Sequence, residues 1–145
     1  MQEQAFAVTV DYGRSLKEAI QAGKYDWAND YITGENFPSI RSGVTEVEIV
    51  LVLFEPWTRP EAVLEEMTER GLRPAELQEL LAFGAAYPDV QRKYPVLAIG
   101  SEWRNPLGEQ FYPKLDVGRD GRIVSIRRGD DGLGASNLIA AVRKQ

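Results

Sequence analysis

The run Glu46-Val47-Glu48-Ile49-Val50-Leu51-Val52-Leu53-Phe54 decides the fold class. Its first half alternates, with Val47 and Ile49 set between acidic residues, and its second half is continuously apolar. Alternation of period two marks a strand with one wet face, and an unbroken apolar run of this length marks a strand covered on both faces. The segment therefore predicts a buried strand in the middle of a sheet. Such a strand needs neighbours on either side and layers above and below, and the rest of the chain is read for both.

Upstream, Ala5 to Tyr12 sets Phe6, Val8 and Val10 against Ala7, Thr9 and Asp11, the pattern of a strand with one buried face. Ser15 followed by Glu18 is a capping box; Leu16, Ala19 and Ile20 share a helix face; and Gly23 predicts a left-handed stop. Tyr25, Trp27 and Tyr31 read as packing against the sheet, and Gly34 to Gly43, with Pro38, as loop. Downstream, Thr58 and Glu61 form a second capping box around Pro60, and Val63, Leu64 and Met67 make the buried stripe of a helix ending at Gly71. Pro74 opens a further helix with Leu77, Leu80, Leu81 and Gly84 at helical spacing, Gly84 allowing close packing.

The last third reads as strands. Val96 to Ile99 is short and buried and leads into Gly100-Ser101-Glu102-Trp103. Phe111, Leu115 and Val117 alternate with Tyr112, Lys114 and Asp116, while Pro113 points to an edge or a bulge. Asp120-Gly121 predicts a type I′ hairpin into Arg122 to Arg128. Asn137 to Val142 fits a short helix or a last strand, and Gly132, Gly134 and Ser136 before it favour the strand. The expectation is a single α+β domain over residues 1–145, with a mostly antiparallel sheet and two or three helices. No repeat, low-complexity tract or long linker divides its 145 residues.

Composition narrows the chemistry. The chain is 43% hydrophobic and 27% charged, an ordinary globular balance. Cysteine and histidine are absent, which removes disulfides, thiolate nucleophiles, imidazole bases, Ser/His/Asp triads and ordinary zinc sites. The formal net charge of −5 disfavours non-specific binding to a nucleic-acid backbone. Residues 1–91 hold seven Lys/Arg against sixteen Asp/Glu, and residues 92–145 hold ten against six, so the C-terminal part is mildly basic. Met1-Gln2-Glu3-Gln4 lacks the basic cluster and long apolar run of a secretory signal, and Ile49 to Phe54, the longest apolar stretch, is far too short to span a bilayer. A soluble cytoplasmic protein with no membrane partner is expected.

Gly129-Asp130-Asp131-Gly132-Leu133-Gly134-Ala135-Ser136 imitates the spacing of a phosphate-binding loop. Ala135 stands where that loop needs lysine, and two aspartates would repel an anion, so an ordinary loop is the better reading. The same segment lacks the ligand alternation and closing Glu of a calcium loop. Glu65, Glu66, Glu69, Glu76 and Glu79 are read as solvent-facing helix residues rather than acid/base pairs. No cofactor is called for. The candidate binding residues are Trp103, Arg104, Asn105, Tyr112, Arg127 and Arg128, with Trp57 a further exposed-looking aromatic. The competing reading of Trp57 and Trp103 is that they cover the edge of a small core.

Several segments together resemble a family of small bacterial proteins with no established activity. They are Val10-Asp11-Tyr12 with Arg14-Ser15-Leu16, Gly23-Lys24-Tyr25-Asp26-Trp27, Gly71 to Leu77, Glu79 to Gly84, Tyr87-Pro88, Ala98 to Ser101 with Trp103, and Ala141 to Lys144. A more distant resemblance, over Glu46 to Lys144, is to C-type-lectin-like modules. It rests on Leu72 to Leu77, Gly100 to Trp103 and the closing Ala-Val-Arg. That likeness implies a partner-facing surface at the loops Trp103 to Gly108 and Gly129 to Ser136. The functional expectation is a non-enzymatic intracellular recognition domain that binds a protein or other macromolecule through loops at one end of the sheet. Its alternatives are a small carboxylate-dependent hydrolase and an acidic regulator that occupies a basic site on a nucleic-acid enzyme.

Overall fold

A computed structural model of the chain describes residues 3–54, 58–129 and 137–144. In chain order the elements are β1 (Glu3–Asp11), α1 (Leu16–Ala22), β2 (Trp27–Ala28), β3 (Val44–Leu53), α2 (Pro60–Glu69), β4 (Leu72–Pro74), α3 (Leu77–Ala86), α4 (Pro88–Lys93), β5 (Val96–Leu97), β6 (Trp103–Arg104), β7 (Gln110–Gly118), β8 (Gly121–Arg128) and β9 (Leu138–Arg143). The strands form one nine-stranded sheet in the order β1-β3-β9-β5-β7-β8-β2, with β4 beside β9 and β6 beside β7. Among the described strands only β2 with β8 and β5 with β9 run parallel, so the architecture is mixed α/β on a mostly antiparallel sheet. Four helices are described rather than two or three. The short α4 escaped the sequence reading.

The two faces of the sheet are covered unequally. Val8, Val10, Ile49, Leu51, Ala140, Leu115 and Val124 point to the face packed by α1 and α3, with Leu77, Leu80, Leu81 and Phe83 buried against them. Val50, Val52, Leu97, Ile139, Ala141 and Tyr112 point to the other face, under Val63 and Met67 of α2. Residues Ile49 to Val52 are therefore buried on both sides, as their sequence demands. The central position belongs elsewhere, since β3 is second from an edge. β9 lies further in, antiparallel to β3 and β4 and parallel to β5.

Several local expectations are corrected. The Ser15–Glu18 capping box forms, but Gly23 is right-handed at φ −80° and Lys24 takes the left-handed conformation at φ 55°. A side chain at Gly23 would collide with the Tyr25 ring, so glycine is needed there for space. Helix α2 has Arg59 as its N-cap without a side-chain bond, and Pro60 fills the first turn instead of the Thr58–Glu61 box. Gly71 does close that helix, at φ 73°. Pro74 ends a short strand, and α3 starts three residues later with Glu76 and Glu79 as its capping box.

Pro113 lies inside the sheet, not at an edge. Its carbonyl accepts from Ala98 N–H (3.1 Å), so its missing donor faces the point where the chain leaves the two-residue β5, and little of the ladder is lost. The β7–β8 turn consists of Arg119 and Asp120, neither with positive φ, closed by Gly121 at φ 122°, which excludes type I′.

Candidate functional site

Strand β6 returns into β7 through a loop built by one side chain. Asn105 accepts from the N–H groups of Leu107 (3.1 Å) and Glu109 (2.9 Å) through Oδ1, and its Nδ2 donates to Glu109 Oε1 (2.8 Å). This expected binding residue is thus committed to holding the turn, with Gly108 at φ 82° completing it. Leu107 is left at the tip, 84% exposed.

The register places Trp103 opposite Phe111 and Phe111 opposite Arg128, so the three form a row on the face covered by α1 and α3. Trp103 stacks on Phe111 at 5.5 Å between centroids and 30° between planes, and Tyr31 stacks on Trp103 at 4.6 Å and 23°. Tyr31 is not a loose loop residue. Asn29 N–H bonds to Val124 O (2.8 Å), Asn29 Oδ1 accepts from Tyr31 N–H (2.9 Å), and Ile32 and Phe37 anchor the following turn in the core. The result is a row of rings at one corner of the sheet, ending in a guanidinium. Tyr31 remains 52% exposed, whereas Trp103 and Phe111 are half-buried.

Arg104 pairs with Glu102 (3.0 Å) and Arg128 with Glu109 (3.4 Å), both beside this row. Exposed pairs of this kind stabilise by about 0–1 kcal/mol, so the Arg104–Glu102 pair costs little to open. Tyr112 does not join the surface. It is 3% exposed and belongs to the core beneath α2, with Arg127 its cross-strand neighbour on that opposite face. Trp57 and residues 130–136 lie outside the described residues, and with them the phosphate-loop and calcium-loop readings.

Two buried polar clusters were not foreseen. Glu79, expected at the surface, is fully buried. It takes a bidentate pair from Arg73 (3.0 and 2.6 Å), the Tyr12 hydroxyl (2.5 Å) and the Glu76 N–H (2.8 Å). Burial pushes its carboxyl up, but these donors outweigh burial and hold it below the usual carboxylate range. Tyr12 is pushed up to about 12 by burial and by its bond to Glu79. With Glu79 ionised and Tyr12 protonated throughout the neutral range, the cluster clamps β1, β4 and α3 together rather than exchanging protons. The open groove beside it, lined by Tyr12, Arg41, Arg73 and Arg143, is self-neutralised, because these arginines pair with Glu76, Glu79 and Glu48.

The second cluster centres on Arg122, 4% exposed. It donates to the carbonyls of Gly23 (2.7 Å) and Gly84 (2.6 Å) and to Gln91 Oε1 (3.2 Å), and lies 4.5 Å from the Tyr25 ring centroid. Among the described residues no group of three or more His, Cys, Asp or Glu is arranged to hold a metal ion, and no helix is long and apolar enough to cross a membrane. No protein family, curated protein or solved structure matches the chain.

Proposed function

We propose that the protein is a recognition domain that binds a protein partner through the Tyr31–Trp103–Phe111–Arg128 row, with Arg104 and Leu107 beside it. The observation that carries this reading is Tyr31, stacked on Trp103 yet half open to solvent. A ring serving only the core is buried, whereas flat, pre-ordered aromatics next to arginine make up the anchors of protein interfaces. Their order before binding lowers the entropy lost on association.

The test is a photo-crosslinking residue placed at Tyr31 in cells that make the protein, with the same residue at Tyr94, 54% exposed, as the comparison. The expected result is a discrete crosslinked partner from position 31 alone, lost when Arg104 and Phe111 are changed to alanine in a chain that keeps its circular dichroism. Equal crosslinking from both positions, or no loss in the double variant, overturns the reading. Binding that weakens steeply with salt would instead favour the acidic-regulator alternative.

A further inference from the structure

We propose that the C-terminal half of the free β1 edge, with the groove between β1, α1 and α3, docks a short extended peptide in which one basic residue lies between two small aliphatic ones. This site is separate from the aromatic row, which lies on β6, β7 and β8. β1 pairs with β3 through nine consecutive residues without a bulge, and among the described residues its other side carries no strand. Tyr12 N–H donates to Gly43 O (2.9 Å), so the even-numbered residues bond to β3 and the odd-numbered ones direct N–H and C=O to the open side. The strand contains no Lys or Pro, the usual guards of such an edge.

One contact selects the occupant. The Tyr87 hydroxyl donates to the Ala7 carbonyl (2.9 Å) from the open side, which blocks β1 at its middle. A second copy pairing along the whole strand would have to displace it. Beyond Ala7, the N–H groups of Thr9 and Asp11 and the carbonyl of Thr9 have no partner among the described residues. This stretch borders a cavity of about 220 Å³ lined by Asp11, Arg14, Ala19, Gln78, Ala82 and Ala85 among others. The Gln78 Oε1 atom there is buried without a hydrogen-bond partner among the described residues.

The side-chain preferences follow from the pleat. A residue opposite Thr9 shares the face of Thr9 and its cross-strand neighbour Glu46, with Asp11 nearby on the same face, and all three are exposed. A lysine or arginine fits there. The residues on either side of it turn to the opposite face, into the alanine-lined cavity, where small aliphatic groups fit. Adding a strand in this way takes affinity from main-chain bonds and selectivity from alternate side chains.

The experiment measures amide hydrogen exchange by NMR on the full chain with the peptide acetyl-Ser-Val-Lys-Val-Ser-amide. With peptide at ten times its Kd, the Thr9 and Asp11 amides are expected to slow about tenfold, while Ala5, on the far side of the Tyr87 contact, is unchanged. Thr9→Pro removes an outward donor without touching the β1–β3 ladder and abolishes the protection. Should that variant not fold, Ala82→Trp fills the cavity and has the same effect. Replacing the peptide's lysine by glutamate weakens binding. No protection at saturating peptide, equal binding of the glutamate peptide, or concentration-dependent protection of β1 without peptide each overturns the proposal.

Discussion

Arg73 and Arg122 are both drawn inward from strands, and the protein neutralises them in opposite ways. Arg73, with about a fifth of its side chain exposed, meets a fully buried carboxylate in a two-pronged pair. Arg122 is deeper, and no carboxylate lies within ion-pair distance of it among the described residues. Its guanidinium instead takes the carbonyls of Gly23, the C-cap of α1, and Gly84, in the last turn of α3. Neither helix carries a basic residue in its own last turn, so Arg122 supplies from the sheet the positive charge that both helix ends call for. The comparison teaches that a buried cation is satisfied as well by aligned backbone dipoles as by a counter-ion, and that only the counter-ion version responds to pH.

The comparison is broken most severely at Arg122. Arg122→Leu leaves two helix-end carbonyls and the Gln91 amide without their donor, and urea unfolding is expected to show a loss of about 4 kcal/mol. Glu79→Gln leaves the Arg73 charge largely uncompensated and costs about 3 kcal/mol in the same measurement. Because the folded Glu79 carboxyl is held low, its contribution is present above the ordinary glutamate value and is lost as pH falls through the folded one. Acid titrations of stability should therefore be steeper in the wild type than in Glu79→Gln, and unchanged in shape by Arg122→Leu. Tyr12→Phe removes one bond to a charged acceptor and costs about 1.5 kcal/mol. The raised Tyr12 value adds stability that is complete below the ordinary tyrosine value and lost as pH rises towards about 12, and this alkaline loss should vanish in the phenylalanine variant. At the small end, Arg104→Ala removes an exposed pair and a long exposed bond to the Gly108 carbonyl, and should change stability by no more than about 0.5 kcal/mol.

What could be read in advance was local. The Ser15–Glu18 box, the β1 alternation and the doubly buried Ile49 to Val52 depend on neighbours within a few residues, and the structure contains all three. Glu79 was misread because its burial is decided by Tyr12, 67 residues away. A clue was present in α3, where Leu77, Leu80, Leu81, Ala82 and Phe83 leave almost no polar side, the mark of a helix covered all round. Arg122 had its own signal, since it shares strand parity with Val124 and Ile126 and so belongs on the core side. Of the candidate site, Trp103 and Arg104 could be proposed from a tryptophan and an arginine after a buried strand. Tyr31 could not, because its stacking joins segments some seventy residues apart. Tyr112 was misassigned because alternation tells that two faces exist but not that α2 covers the second. Pro74 was taken for a helix start because a proline suits a first turn and an edge strand equally, and β4 pairs on one side only.

The place of β9 governs the order in which this molecule can assemble. Strands β1 and β3 zip together from nearby sequence, but among the described residues β3 and β5 have no direct pairing and are joined through β9, the last of the described strands in chain order. During folding the sheet thus exists as two unfinished halves, one carrying the apolar flank of β3, until β9 pairs with both and locks them. Closure across nearly ninety residues of separation makes slow, late folding the expected behaviour, and makes β9 the strand that commits the chain to its native state.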